Sequence, residues 1–178
     1  MIVSMEFRVY VGTYAKYNDG SIEGQWLDLS GYDNLDQFDI ACRNLHKDEA
    51  DPELMFQDFE GIPKLLIDES WISPEVWDWM QLSVSDREIT GAYMQLTGYT
   101  FNELGGVYGA KCQALDNYLG QYDSEAEAAE EIAAESIPKD FPTWIVIDWE
   151  DTWRANLRHD YTAGRIDGEP ALWVFNNN

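Results

Sequence analysis

Apolar and polar residues change period along this chain, and the changes mark out its elements. Residues Phe7 to Tyr14 (FRVYVGTY) are β-branched and aromatic with approximate alternation. Ile22 to Leu29 repeats that character after Asn18-Asp19-Gly20, which predicts an antiparallel strand pair joined by a turn. From Asp33 the period lengthens. Asp33 stands three residues before Asp36 as a cap, and Leu35, Phe38, Cys42 and Leu45 form one apolar face of a helix reaching about Lys47. After the acidic loop Asp48-Glu49-Ala50-Asp51 and the breaker Pro52, Leu54 to Phe59 reads as a third strand. The result is a ββαβ module over residues 1–62.

The pattern then becomes one of short helices, over residues 63–110. Ser73-Pro74-Glu75 supplies an N-cap, a proline at the first helical position and an acid in the first turn, and a Trp-rich helix from Glu75 to Leu82 follows. Ser85 with Glu88 and Thr100 with Glu103 form two further capping boxes; Gly91 weakens, and Gly98 ends, the helix between them. Over residues 111–178 the pattern is mixed. Ser124 opens a helix in which Glu127, Glu131 and Glu135 step by four, about 6 Å apart along one side. Trp144 to Ile147 (WIVI) reads as a continuous apolar strand, buried on both faces or covered by a partner. Asp148 caps a helix with Trp149, Trp153 and Leu157 as its inner stripe, and Ala171 to Phe175 is a last strand, with Asn176 to Asn178 frayed. The predicted class is α+β, as three small modules.

Charge changes this picture more than length does. The chain has 34 Asp and Glu against 11 Lys and Arg, a net charge of −23 over 178 residues. The excess is spread: 13 acids against 4 bases in residues 1–62, 7 against 2 in 63–110, and 14 against 5 in 111–178. Self-repulsion of this size opposes compaction and exceeds what solubility needs. Disorder is not the reason, because 45% of the residues are apolar and 14% aromatic. Two explanations compete: a solvent very rich in salt, or a partner whose own site is strongly positive. Duplex DNA carries about one charge per 1.7 Å, so 23 charges correspond to roughly 39 Å, or about 11 to 12 base pairs. The candidate phosphate-mimicking acids are Asp28, Asp33, Asp36, Asp39, Asp48, Glu49, Asp51 and Glu53 in the first module, and Glu69 and Asp78 in the second. In the third they are Asp123, Glu125, Glu127, Glu130, Glu131, Glu135, Asp148, Glu150 and Asp151.

Catalytic and metal motifs fit poorly. Asp48-Glu49-Ala50-Asp51 spells a helicase signature, but it follows a helix end and no GxxxxGK phosphate loop precedes it. Gly105-Gly106-Val107-Tyr108-Gly109 lacks dinucleotide spacing and reads as a helix connection. His46 and His159 fall near helix C-termini and read as surface or capping residues, and no Cys/His cluster, calcium loop or GxSxG occurs. Cys42 and Cys112 read as small buried residues of a reducing compartment. The short apolar start from Met1 to Val11 is broken by Glu6 and Arg8, so neither a signal segment nor a membrane span is expected, and the protein is expected to be soluble and cytosolic. A carboxylate-dependent hydrolase remains a minor alternative. No cofactor and no metal are expected.

Certain stretches carry a resemblance. Tyr10-Val11-Gly12-Thr13-Tyr14, Lys16-Tyr17-Asn18, Gly20-Ser21-Ile22, Ala41-Cys42-Arg43 and above all the run from His46 to Asp58 (HKDEADPELMFQD) closely resemble the ArdA antirestriction family. Glu60-Gly61-Ile62-Pro63 looks like that family's module boundary, Tyr122-Asp123-Ser124-Glu125 like the start of its acidic helix, and Pro142 to Leu157 like its antirestriction motif. The resemblance implies a non-enzymatic DNA mimic, encoded on a mobile element, that occupies the DNA groove of type I restriction-modification enzymes. The partner would be the methyltransferase core with its specificity subunit, with no direct contact to nucleic acid and none to membrane. It also implies an elongated chain of three modules, dimerised through its later part. Trp144, Ile145, Val146 and Ile147 are then candidates for the dimer contact as well as for a core strand.

Overall fold

A computed structural model describes residues 6–142, 144–166 and 168–177. The protein is an α+β fold, 43% helical and 21% strand, and it divides into two compact units, residues 1–82 and 83–178. Of the expected module boundaries, the one at residue 62 lies just after the Gly61 turn, while the one at residue 110 falls inside a helix.

In the first unit the alternating segment forms β1 (Arg8–Thr13), which pairs antiparallel with β2 (Gln25–Asp28) on one side and β3 (Leu54–Glu60) on the other. Val9 and Val11 are fully buried, and Arg8 on the opposite face bonds Glu60 across the ladder and lies over the Trp26 ring. The link from β1 to β2 holds a short helix α1 (Tyr14–Asn18) before the positive-φ Gly20, where a turn alone is expected. Thr13 caps it by accepting from the Lys16 amide. Helix α2 (Leu35–Leu45) buries Phe38 and Cys42, and Phe38 packs among Tyr32, Phe56 and Trp77 at ring separations of 5.6, 6.1 and 6.3 Å. Its cap is Asn34 rather than Asp33: Asn34 accepts from the Gln37 amide while the Gln37 side chain accepts from the Asp33 amide. Residues 63–82 differ from the all-helical expectation, because a two-residue hairpin of β4 (Ile67–Asp68) and β5 (Trp71–Ile72) precedes the Trp-rich α3 (Val76–Gln81). Leu66 and Ile67 are buried there beside Val76 and Trp79, apolar positions too short in sequence to display a strand period.

The second unit is organised around one strand. Helices α4 (Val84–Thr97) and α5 (Gly106–Asn117) lead into β6 (Tyr118–Tyr122), α6 (Glu125–Ala133), α7 (Trp149–Ala155), β7 (Tyr161–Gly164) and β8 (Leu172–Asn176). The sheet order is β6-β8-β7, all antiparallel. Strand β8 is buried on both faces. Trp173 and Phe175 pack with Ile89, Ala92, Tyr93 and Ala114 of α4 and α5, while Leu172 and Val174 pack with Ala128, Ala129 and Trp153 of α6 and α7. The doubly covered strand expected at Trp144 to Ile147 is therefore at β8, and Asn176, expected to be frayed, is its last residue.

Several local expectations shift for definable reasons. Residues 144–147 form no strand; prolines and the Asp148 cap bracket the segment. Helix α4 starts from Ser83, whose hydroxyl accepts from the Asp86 amide, two residues before the expected Ser85 cap. Gly98, at φ 75°, ends it in the left-handed region as expected. Thr100 and Glu103 do exchange capping bonds, 2.8 Å from the Thr100 amide to Glu103, but they order the turn before α5 rather than a helix of their own. The Gly-rich run expected to connect helices instead opens α5 from Gly106, and at Gly109 a β-carbon would collide with the Leu104 carbonyl oxygen, which keeps that position a glycine. Asp148 caps α7, with Trp153 buried and Trp149 and Leu157 packed beside it.

Candidate interaction surface

The candidate acids are held by ordinary helix and loop chemistry, and that chemistry turns them outward. Seventeen of the nineteen are exposed; Asp39 and Glu49 are half-buried. The charge divides almost evenly, with 17 acids against 5 bases in residues 1–82 (−12) and 17 against 6 in residues 83–178 (−11).

Some of these acids are already engaged within the fold. Asp28 caps a single 3-10 turn by accepting from the Ser30 amide and hydroxyl, and Asp148 accepts from the Asp151 amide. Glu127 reaches back to the Asp123 amide at 2.6 Å while Ser124 accepts from the Glu127 amide, a reciprocal cap that starts α6. Arg43 gathers Asp39 at 2.8 Å and Asp51 at 3.4 Å, and Asp151 pairs with Arg154. Lys16 gathers Asp48 at 3.0 Å and Glu49 at 4.0 Å. The Lys16 ammonium holds the Asp48 carboxyl below the usual carboxylate range, as the Arg8 guanidinium does for Glu60. By contrast, Asp36, Glu53, Asp78, Glu125, Glu130, Glu131, Glu135 and Glu150 enter no ion pair among the described residues. Asp33 accepts from the Gln37 side chain.

The row Glu127, Glu131, Glu135 is less regular than its spacing predicts. Helix α6 ends at Ala133 and Glu135 lies in a following 3-10 turn, so only the first two keep the one-turn step. Asp58 and Glu60 stand outside the candidate set, yet both are exposed on β3, and the alternation in MFQDFE is the signal that marks them. Trp144 is 81% exposed and Val146 91%, with Ile145 exposed and Ile147 half-buried. His46 corrects its expectation in another way: it occupies the C-cap of α2, yet it is 2% exposed. His159 is exposed. Cys42 is buried, and burial pushes its thiol up to about 12, whereas Cys112 is exposed instead of buried.

Two open clefts border β3, one lined by Tyr17, Ile22, Phe59, Lys64 and Glu69 among others, the second by Tyr14, Arg43, Glu53 and Trp71 among others. Neither places a histidine or cysteine beside its carboxylates. Among the described residues no group of three or more His, Cys, Asp or Glu could hold a metal ion, and no helix is long and apolar enough to cross a membrane.

Fold and surface together define a class: an acidic α+β protein whose carboxylates are carried outward on caps, loops and helix faces in both units. The family model of the antirestriction protein ArdA matches residues 9–169, and the chain belongs to that family. Neither the curated proteins nor the solved structures compared with it gave a match. Membership makes this an antirestriction protein, in a family of non-catalytic inhibitors, and implies interaction with restriction-modification enzymes.

Proposed function

We propose that the protein inhibits type I restriction-modification enzymes by presenting its carboxylates to the Lys- and Arg-lined groove that holds DNA. The observation that carries this reading is the spread of exposed, unpaired carboxylates over both units. A chain whose acids were consumed by its own cations, or gathered in one tail, would offer no such surface. Rigid caps and helices hold the charges in fixed places, so binding need not order them first. The partner is the methyltransferase core with its specificity subunit, and modification is blocked along with cleavage. The exposed apolar segment of Trp144, Ile145 and Val146 is the contact with a second copy. Burying it would remove from water two large side chains that are more than four-fifths exposed.

The test is competition. Excess protein should displace a duplex from a type I methyltransferase core, and its affinity should fall steeply as salt rises. Failure to displace the duplex, or binding indifferent to salt, refutes the mimic. A protein that unfolds in dilute buffer by far-UV circular dichroism would instead favour acidity as an adaptation to salt.

A further inference from the structure

One lysine of this acidic chain sits at the centre of a knot. Lys16 Nζ lies 3.1 Å from His46 Nδ1, 3.0 Å from Asp48 and 4.0 Å from Glu49. The other imidazole nitrogen, Nε2, lies 3.2 Å from the Val11 carbonyl in the middle of β1. A carbonyl only accepts and an ammonium only donates, so the ring carries its proton on Nε2 and accepts at Nδ1. The ring is fully enclosed, which makes it a fixed post joining the sheet to Lys16. Glu49 is anchored separately: the buried Thr13 hydroxyl donates to it at 2.6 Å, and its amide donates to the His46 carbonyl at 2.9 Å.

We propose that Lys16, braced by His46, is a positioning residue that sets the leading carboxylates of the loop, Asp48 beside Glu49, for the partner. This rests on the reading of the surface as a DNA mimic. Counting charge alone, a cation here is a defect in a protein that binds by being negative. The geometry says otherwise. The loop follows the end of α2 with no regular structure of its own until β3. The Asp48 side chain has Lys16 as its one ion-pair partner among the described residues, and without that cation it would be repelled by the anchored Glu49 and sample many positions. Lys16 reaches that place from α1, thirty residues earlier, and only about a fifth of its side chain meets solvent. Its ammonium neutralises one charge and fixes the direction of Asp48 beside a Glu49 that Thr13 already holds.

The experiment compares K16M with K47M. Both remove one lysine and make the protein more negative by the same amount, but Lys47 is exposed and makes no ion pair among the described residues. Competition against a duplex for a type I methyltransferase core should be about 2- to 30-fold weaker for K16M, the equivalent of losing up to two exposed ion pairs with the partner. K47M should match or exceed the wild type, and K16R, which keeps a donor between His46 and the acids, should recover most of the loss. NMR relaxation of the amides of residues 48–51 in the free protein should show order in the wild type, motion in K16M, and order again in K16R. If K16M competes as well as K47M, or its loop is as ordered as the wild type's, the positioning role is overturned while the mimic stands. If the wild type itself fails to displace the duplex, the mimic falls, and with it the purpose assigned to the loop.

Discussion

Replacing Glu130, Glu131 and Glu135 together by Gln separates binding from folding, because these three acids are exposed and serve no cap or ion pair among the described residues. An exposed ion pair contributes about 0.2–1 kcal/mol in general, so losing three to the partner should weaken binding about 3- to 150-fold. The fold should respond in the opposite sense. Glu130 and Glu131 lie in the last turn of α6, where the carbonyl ends of the helix disfavour a negative charge, and Glu131 faces Glu127 one turn back. The triple variant should therefore melt no lower than the wild type. Glu127 must stay in place, because its bond to the Asp123 amide starts the helix. Competition with duplex at two salt concentrations, beside thermal unfolding followed by circular dichroism, reads both effects. Undiminished binding by a variant with three fewer charges would remove this helix from the proposed surface. A lower melting point would show that the acids serve the fold.

Other outcomes follow from the packing and ionisation of the two units. Phe38→Ala, which empties the ring cluster under α2, should cost about 3–5 kcal/mol in urea unfolding; a cost under about 1 kcal/mol would mean the cluster is not the core of its unit. A colourimetric thiol reagent at neutral pH should modify Cys112 quickly in the native protein and Cys42 only after unfolding, since the buried Cys42 thiol is pushed up to about 12. Glu60 titrates below its ordinary range because of Arg8, so its contribution to stability is present above that range and lost as pH falls through the lowered value. Glu60→Gln should accordingly be less stable than the wild type at neutral pH, with the two unfolding curves converging in acid; a constant gap would assign the loss to packing.

The sequence makes local elements legible where a period runs long enough to be counted. The alternation of β1, the apolar face of α2 and the caps of α6 and α7 all stand where residue spacing puts them. Short or partner-dependent elements are not legible. The β4–β5 hairpin has two residues a side, and β6 and β7 acquire their strand character only from pairing with β8. The run Trp144 to Ile147 and the run Leu172 to Phe175 are equally apolar, and no local rule says which finds a sheet. For the surface, composition predicts outward carboxylates well, because charge avoids the interior. What it cannot display is internal use: that Asp48 and Glu49 share Lys16, or that a histidine at a helix end is buried against a strand carbonyl, depends on contacts thirty or more residues apart.

The position of β8 has a consequence for synthesis. Every other element of its unit emerges earlier, yet the largest buried side chains shared by the two helix layers, α4 with α5 and α6 with α7, are those of that strand. Until Leu172–Asn176 has been made, Tyr93 lacks Phe175, and Trp153 lacks Leu172 and Val174. The strands and helices of the first unit are all made by Leu82 and can close while the rest is still being translated. Truncation just before Leu172 should thus leave the first unit folded and the second open, its apolar residues exposed to chaperones and proteases.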